Sequence, residues 1–177
     1  MKKNNKIEGM KEKKEEEIKF LADKMLGKLA KWLRILGYDT AYPSFDNDDL
    51  PLILTARQEG RILLTRDTNL IKRRNICDFL FVKGDHWEEQ LVGIIKGLKL
   101  EIDLNSKIFS RCSLCNTPTK DIDKKEVKNY VPPYVFSTQD KFVYCPSCKK
   151  YYWRGTHWQR MTQRIQKLFL DKSGSSS

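Results

Sequence analysis

Two Cys-x-x-Cys pairs, Cys112-Ser113-Leu114-Cys115 and Cys145-Pro146-Ser147-Cys148, constrain this fold more than any other feature, and 29 residues separate them. Each pair can close into a tight knuckle presenting two thiolates to one ion. Two knuckles complete a tetrahedral site with Zn–S distances of about 2.3 Å. Four protein ligands leave no open coordination position, so the expected zinc is structural rather than catalytic. The interval exceeds the ~15–20 residues of the tightest such pattern, which predicts a hairpin or loop insertion around Val131-Pro132-Pro133. A redox pair and chance spacing are the alternatives; two pairs in so short a stretch argue against both. Cys77, alone in an apolar run, reads as a small buried hydrophobe.

The count of five cysteines is odd, which fits a reducing compartment better than a disulfide framework. No run approaches the ~18 apolar residues of a membrane span. The stretch Met1 to Lys19 mixes lysine and glutamate without the apolar core of a secretory signal. A cytoplasmic setting without membrane contact is therefore the expectation. The net charge of +11 is unevenly placed: residues 20–105 carry 13 basic and 13 acidic side chains, residues 106–177 carry 14 and 5. Such asymmetry suggests a nucleic-acid contact surface on the last third, the alternative being ordinary solubilising charge.

A length of 177 residues accommodates one modest domain and one small one. Residues 1–17 are low in complexity and read as a disordered or frayed tail. Ile18 to Ala22 is a short apolar run expected as a buried strand ending at Asp23. Met25, Leu26, Leu29, Trp32, Leu33 and Leu36 are spaced for one face of a helix, which Gly37 stops. Asp39 to Tyr42 reads as a second strand and Pro43 to Asn47 as a loop. Asp48 and Asp49 open a helix with Pro51 in its first turn and Leu52, Ile53 and Ala56 inward; Gly60 ends it. Arg61 to Thr65 and Ile76 to Val82 are further strands. Asp85 with Glu88 has capping-box spacing ahead of a helix from Trp87 to Leu98. This alternation predicts an α/β fold with a small parallel sheet flanked by helices. A linker is expected near Leu100 to Ser110, and no internal repeat is present.

After the second knuckle, Tyr151-Tyr152-Trp153-Arg154-Gly155-Thr156-His157-Trp158 interleaves aromatic rings with Arg154, followed by Arg160 and Arg164. Aromatic faces can stack on unpaired bases while arginines meet phosphates. Alternatively, Trp153 and Trp158 fill the core between the cysteine module and the main domain. His157 reads as a surface or hydrogen-bonded histidine, since four cysteines already suffice for zinc.

Asp23 and Asp67 each sit just past the carboxyl end of a predicted strand, where open α/β sheets bind ligands. Asp48 or Asp49 begins the helix before the second of those strands. If the strands are adjacent, three carboxylates converge on one sheet edge. Crowded carboxylates repel, and a divalent cation relieves the repulsion; oxygen donors suit Mg²⁺ or Mn²⁺. Such a site can serve phosphodiester cleavage. The plainer readings are that Asp48 or Asp49 and Asp67 are helix caps. Asp23 resists that explanation because it directly follows a buried strand.

The stretches Phe20-Leu21-Ala22-Asp23-Lys24-Met25-Leu26-Gly27-Lys28-Leu29-Ala30 and Gly60-Arg61-Ile62-Leu63-Leu64-Thr65-Arg66-Asp67 resemble the PIN-like RNase domain named after the C-terminus of a mutator exonuclease. The likeness continues through Ser110-Arg111-Cys112, Cys145-Pro146-Ser147-Cys148 and Tyr152-Trp153-Arg154-Gly155-Thr156-His157-Trp158, covering about residues 18–162. The resemblance implies a PIN-like nuclease domain over 18–105 and a zinc ribbon over 106–162. Residues 163–177 are then a basic helix end and tail. It also implies a metal-dependent endoribonuclease whose acids are Asp23, Asp49 (or Asp48) and Asp67, holding Mg²⁺ or Mn²⁺. Cleavage of this kind leaves a 5′-phosphate and a 3′-hydroxyl. Lys24, Lys28 and Arg66 are the candidate phosphate contacts beside those acids. Arg154 would act with the ribbon in gripping the RNA. Fuller PIN nucleases add an acid on a middle helix, for which this chain has no clear counterpart; Asp78 and Asp85 are the candidate substitutes. The alternative is a non-catalytic RNA-binding factor with a vestigial acidic site, acting on the ribosome or in an RNA-processing complex.

Overall fold

The computed structural model describes residues 18–43, 49–73 and 78–170. The tail expected at 1–17, the last seven residues of the helix end and tail expected at 163–177, and residues 44–47 of the expected loop lie outside the described residues, as do Asp48, Ile76 and Cys77. The chain divides into two compact units. One comprises residues 1–34 and 38–102, the other residues 35–37 and 103–177.

The first unit is built on four short strands: β1 (Lys19–Ala22), β2 (Asp39–Ala41), β3 (Ile62–Thr65) and β4 (Phe79–Phe81). All pairings are parallel, in the order β2-β1-β3-β4, with Phe20 opposite Ile62 and Leu63 opposite Phe79. Parallel neighbours need crossover connections, and helices α1 (Gly27–Ile35) and α2 (Asp49–Gln58) supply the first two. β3 is buried along its whole length, which is why Ile62-Leu63-Leu64 reads as an unbroken apolar run rather than an alternating one. Leu52, Ile53 and Ala56 of α2 pack with Leu21, Leu63 and Leu70 in the core, as their spacing predicted. Helix α3 (Trp87–Gly97) buries Leu91, Ile94 and Ile95. Its Trp87 stacks on Trp32 of α1 with ring centroids 4.2 Å apart.

Helix ends follow the expected glycines. Gly37 and Gly60 adopt left-handed φ values of 92° and 64°, which bulkier residues reach only with strain. Two local expectations fail. Met25 does not join the inward helix face: Lys24–Leu26 forms a 3₁₀ turn capped by Asp23, and this leaves Met25 62% exposed. Asp85 does not cap α3 either, because the cap position is His86 and carries no side-chain bond. Among the described residues, no helix is long and apolar enough to cross a membrane.

The second unit holds a three-stranded antiparallel sheet, β5 (Lys120–Ile122), β6 (Phe142–Tyr144) and β7 (Tyr151–Trp153), in that order. Between β5 and β6 the chain forms a 3₁₀ turn at Lys124–Val127 and a short helix, α4 (Pro133–Thr138). The hairpin or loop insertion expected around Val131-Pro132-Pro133 is a loop that runs into this short helix, with Pro133 in the first turn, where its missing N–H costs nothing. Val127, Val131 and Phe142 form this unit's own small core, against which Trp153 packs. The chain finishes in α5 (Thr156–Leu170), whose Ile165 is fully buried.

Candidate functional site

In a parallel sheet ordered β2-β1-β3-β4, the chain leaves β1 in one direction to reach β2 and in the other from β3 to β4. The carboxyl ends of β1 and β3 therefore flank the point where connections diverge, which is where open α/β sheets bind ligands. Asp23 follows β1 and Asp67 follows β3 by two residues, so the fold delivers both carboxylates to that crevice.

Thr65 ties them together. Its hydroxyl donates to Asp23 Oδ2 and accepts the N–H of Asp67 at 3.0 Å. Asp23 is 5% exposed. It is held by three donors: Met25 N–H on Oδ1 at 2.9 Å, and Thr65 and Arg66 N–H, the latter at 3.1 Å, on Oδ2. Thr65 itself is completely buried. Sequence reasoning passed over it as a strand end, although a hydroxyl closing an apolar strand two residues before an aspartate was a readable signal.

Asp67 turns Oδ1 toward the chain after it, accepting from Asn69 N–H at 2.7 Å and Leu70 N–H at 3.3 Å. Both bonds fall on Oδ1 and tie the loop leading into the 3₁₀ turn Leu70–Lys72, whose cap position is Asn69 and carries no side-chain bond. Asp49 lies in the first turn of α2, and Oδ2 pairs with Arg73 at 2.6 Å, just past that 3₁₀ turn. Sequence reasoning gave Arg73 no role. The three carboxylates are nonetheless not gathered into a ready cluster. Among the described residues, the only group of three or more His, Cys, Asp or Glu side chains close enough to hold one ion is the four cysteines.

The two candidate fourth acids separate cleanly. Asp78 precedes β4, and its carbonyl accepts Leu63 N–H, so it lies toward the amino edge of the sheet. Asp85 follows β4 on the carboxyl side and accepts from Arg66 Nη2 at 2.6 Å. Arg66, a candidate phosphate contact, is thus ion-paired with an acid that is 87% exposed. Lys24 and Lys28 are exposed beside Asp23 on the 3₁₀ turn and the first turn of α1.

At the other site, Cys112, Cys115, Cys145 and Cys148 bring four Sγ atoms within 4.8 Å of one another. The two knuckles repeat each other. Cys112 N–H reaches Thr117 O and Asn116 N–H returns to Cys112 O, both at 2.9 Å. Cys145 N–H reaches Lys150 O at 2.8 Å and Lys149 N–H returns to Cys145 O at 2.9 Å. Asn116 and Lys149, each directly after the second cysteine of its pair, both take left-handed φ values, 69° and 57°. That reversal turns both thiols of a pair to one side. Burial works against ionising Cys115, but hydrogen bonds with Thr117, Cys148 and Cys145 outweigh it and bring its thiol down to about 6. Hydrogen bonding to Cys115 pushes Cys148 up to about 12. Four sulfurs so crowded cannot all carry charge unaided, and a soft cation in their midst relieves this. The cluster could hold a structural metal such as zinc, with no position left for substrate.

Around this centre, Arg154 lies with its guanidinium 5.2 Å over the Trp158 ring and donates to Asn105 O at 2.6 Å. His157 is exposed, as expected of a histidine outside the metal set. Trp158 Nε1 is buried without a hydrogen-bond partner among the described residues.

The family model described as the Mut7-C RNAse domain matches residues 18–165. No curated protein and no solved structure matches the chain.

Proposed function

We propose that this chain, which belongs to the Mut7-C RNase domain family, is an endoribonuclease dependent on Mg²⁺ or Mn²⁺. Its site is the carboxyl edge between β1 and β3, in a PIN-like domain followed by a zinc ribbon. The observation that carries this reading is the Thr65 bridge, which couples Asp23 to Asp67 at the divergence point of the sheet.

The donors are all carboxylate oxygens, the chemistry a hard divalent cation takes. Among the described residues the bonds to the Asp67 carboxylate fall on Oδ1, and Asp49 Oδ1 and Asp23 Oδ1 keep lone pairs after their own hydrogen bonds. They could share an ion only if the three carboxylates drew together, since among the described residues only the four cysteines stand close enough to hold one. When bound, such an ion neutralises charge at the scissile phosphate and polarises water for attack. The protein's own part is positional. Thr65 and the Arg66 and Met25 N–H groups fix the Asp23 carboxylate, and Asn69 and Leu70 N–H groups fix Asp67. Arg66, Lys24 and Lys28 would meet the phosphates on either side. Arg66 exchanges its exposed pair with Asp85 for that role at little cost, because such surface pairs contribute no more than about 1 kcal/mol. The basic ribbon, with Arg154, would hold the rest of the RNA.

A second reading, RNA binding without cleavage, is favoured by one observation: every acid of the set is already engaged by protein donors, Asp49 by Arg73 itself. One experiment separates the two. Purified full-length protein is incubated with mixed structured and unstructured RNA, with Mn²⁺ or with EDTA, beside Asp67→Asn. The amide oxygen of Asn can still accept from Asn69 and Leu70, so the variant keeps its turn while losing the charge that attracts a cation. Metal-dependent cleavage giving 5′-phosphate ends, lost in Asp67→Asn with binding retained, supports the nuclease. Equal cleavage by both proteins would refute the site; RNA binding without cleavage by either would establish the second reading.

A further inference from the structure

The register of the antiparallel sheet sets Lys120, Tyr144 and Tyr151 directly opposite one another across three strands, on one face. Tyr144 and Tyr151 have ring centroids 5.0 Å apart. Tyr130, brought in from the segment between the 3₁₀ turn and α4, stacks on Tyr151 at 5.2 Å and 17°. At the far end, Lys149 Nζ lies 5.8 Å from the Tyr144 centroid. The result is a ladder of three rings with an ammonium at one end and an open end at Tyr130, which is 67% exposed.

An exposed ring stacked on one side only is poorly explained by packing, since its outer face gives up nothing to the core. Lys149 stands at the ladder's Tyr144 end, and both it and Glu126 act on the Tyr151 hydroxyl; Lys125 and Lys128, five and two positions before Tyr130 in the chain, are exposed. Aromatic steps within a cationic surface are the recurring solution for holding a single strand, whose bases stack and whose backbone is neutralised.

We propose that Tyr130 is a stacking platform for an unpaired base of single-stranded RNA, the ladder holding its ring in place and the lysines tracking the adjoining phosphates. The proposal rests on the reading of this protein as RNA-binding and adds to it a preference for unpaired over duplex RNA. Duplex bases are already stacked on each other and offer no face to Tyr130, so the platform discriminates by the state of the strand rather than by its sequence.

The test measures fluorescence anisotropy of a short labelled single strand of mixed sequence, and of a blunt duplex of the same sequence, without added divalent cations. Wild type, Tyr130→Ala and Tyr130→Phe full-length proteins are compared. An exposed side chain can be replaced without disturbing the fold, so the variants remain comparable. Tyr130→Ala is expected to lose about tenfold in single-strand affinity, the worth of one base–aromatic stack. Tyr130→Phe should restore it, and duplex binding should not change in either. Single-strand affinity in Tyr130→Ala equal to wild type would overturn the platform and leave the RNA reading standing. An equal loss on duplex would also overturn it, since the residue would then act through general affinity. Wild type that binds neither RNA overturns the RNA reading and the platform with it.

Discussion

Replacing Thr65 by Val removes one oxygen and keeps the shape of a side chain that is completely buried. The lost hydroxyl donates to Asp23 and accepts from Asp67 N–H. A hydrogen bond to a carboxylate contributes about 1.5–3 kcal/mol. Asp23 keeps its bonds from Met25 and Arg66, and Asp67 N–H is only partly buried and can turn to water. The expected loss is therefore about 2–3 kcal/mol, toward the upper part of that single-bond range. Amide hydrogen exchange at Leu63, whose N–H bonds Asp78 O in the sheet core, reads the opening of this unit separately from the rest of the chain. Its protection should fall roughly 30- to 150-fold, at 1.4 kcal/mol per factor of ten. Thr65→Ser restores the hydroxyl and forfeits one buried methyl, so it should recover all but about 1 kcal/mol. If Thr65→Val is as protected as wild type, the bridge contributes nothing. If Thr65→Ser is as damaged as Thr65→Val, methyl packing rather than the hydrogen bonds holds this edge. Under the proposed nuclease reading, Thr65→Val should also slow cleavage, because Asp23 and Asp67 lose their common anchor.

Purified protein should contain about one equivalent of zinc by elemental analysis, and Cys145→Ser should lose it and unfold residues 103–177, since structural zinc contributes on the order of 10 kcal/mol in small modules; a fully folded, metal-free wild type contradicts this. Trp158→Phe removes a buried N–H that has no partner among the described residues. Its melting temperature should equal or exceed that of wild type, because a stranded donor costs about 1–3 kcal/mol; a drop of several degrees would mean that the indole N–H is satisfied after all.

The ends of the elements were legible in the chain because their causes are local. Leu52, Ile53 and Ala56 recur at helical spacing and are inward; Gly37 and Gly60 stop their helices through a backbone conformation that glycine adopts at least cost. The cysteine site was equally legible, because each knuckle is made within six residues and needs nothing distant to shape it. Local signals misled where two outcomes share one pattern. Asp85 and Glu88 have the spacing of a capping box, yet a cation from another strand end, Arg66, takes the Asp85 carboxylate, and no local rule weighs that competitor. Met25 fits a helix face, but Asp23 caps a 3₁₀ turn there and turns it outward.

The sequence by itself determined that aspartates would follow strands and that each Cys-x-x-Cys pair would turn two thiols to one side, since both depend on neighbours along the chain. Only the tertiary structure decided which strands stand side by side. It placed β1 against β3, and so put Thr65 between Asp23 and Asp67, Arg73 against Asp49, and Asp78 toward the opposite edge from Asp85. It likewise carried Tyr130 onto Tyr151, 21 positions away. Hydrophobic periodicity sets which face of an element is buried, but strand order and cross-chain side-chain partners follow from the packing of all elements at once.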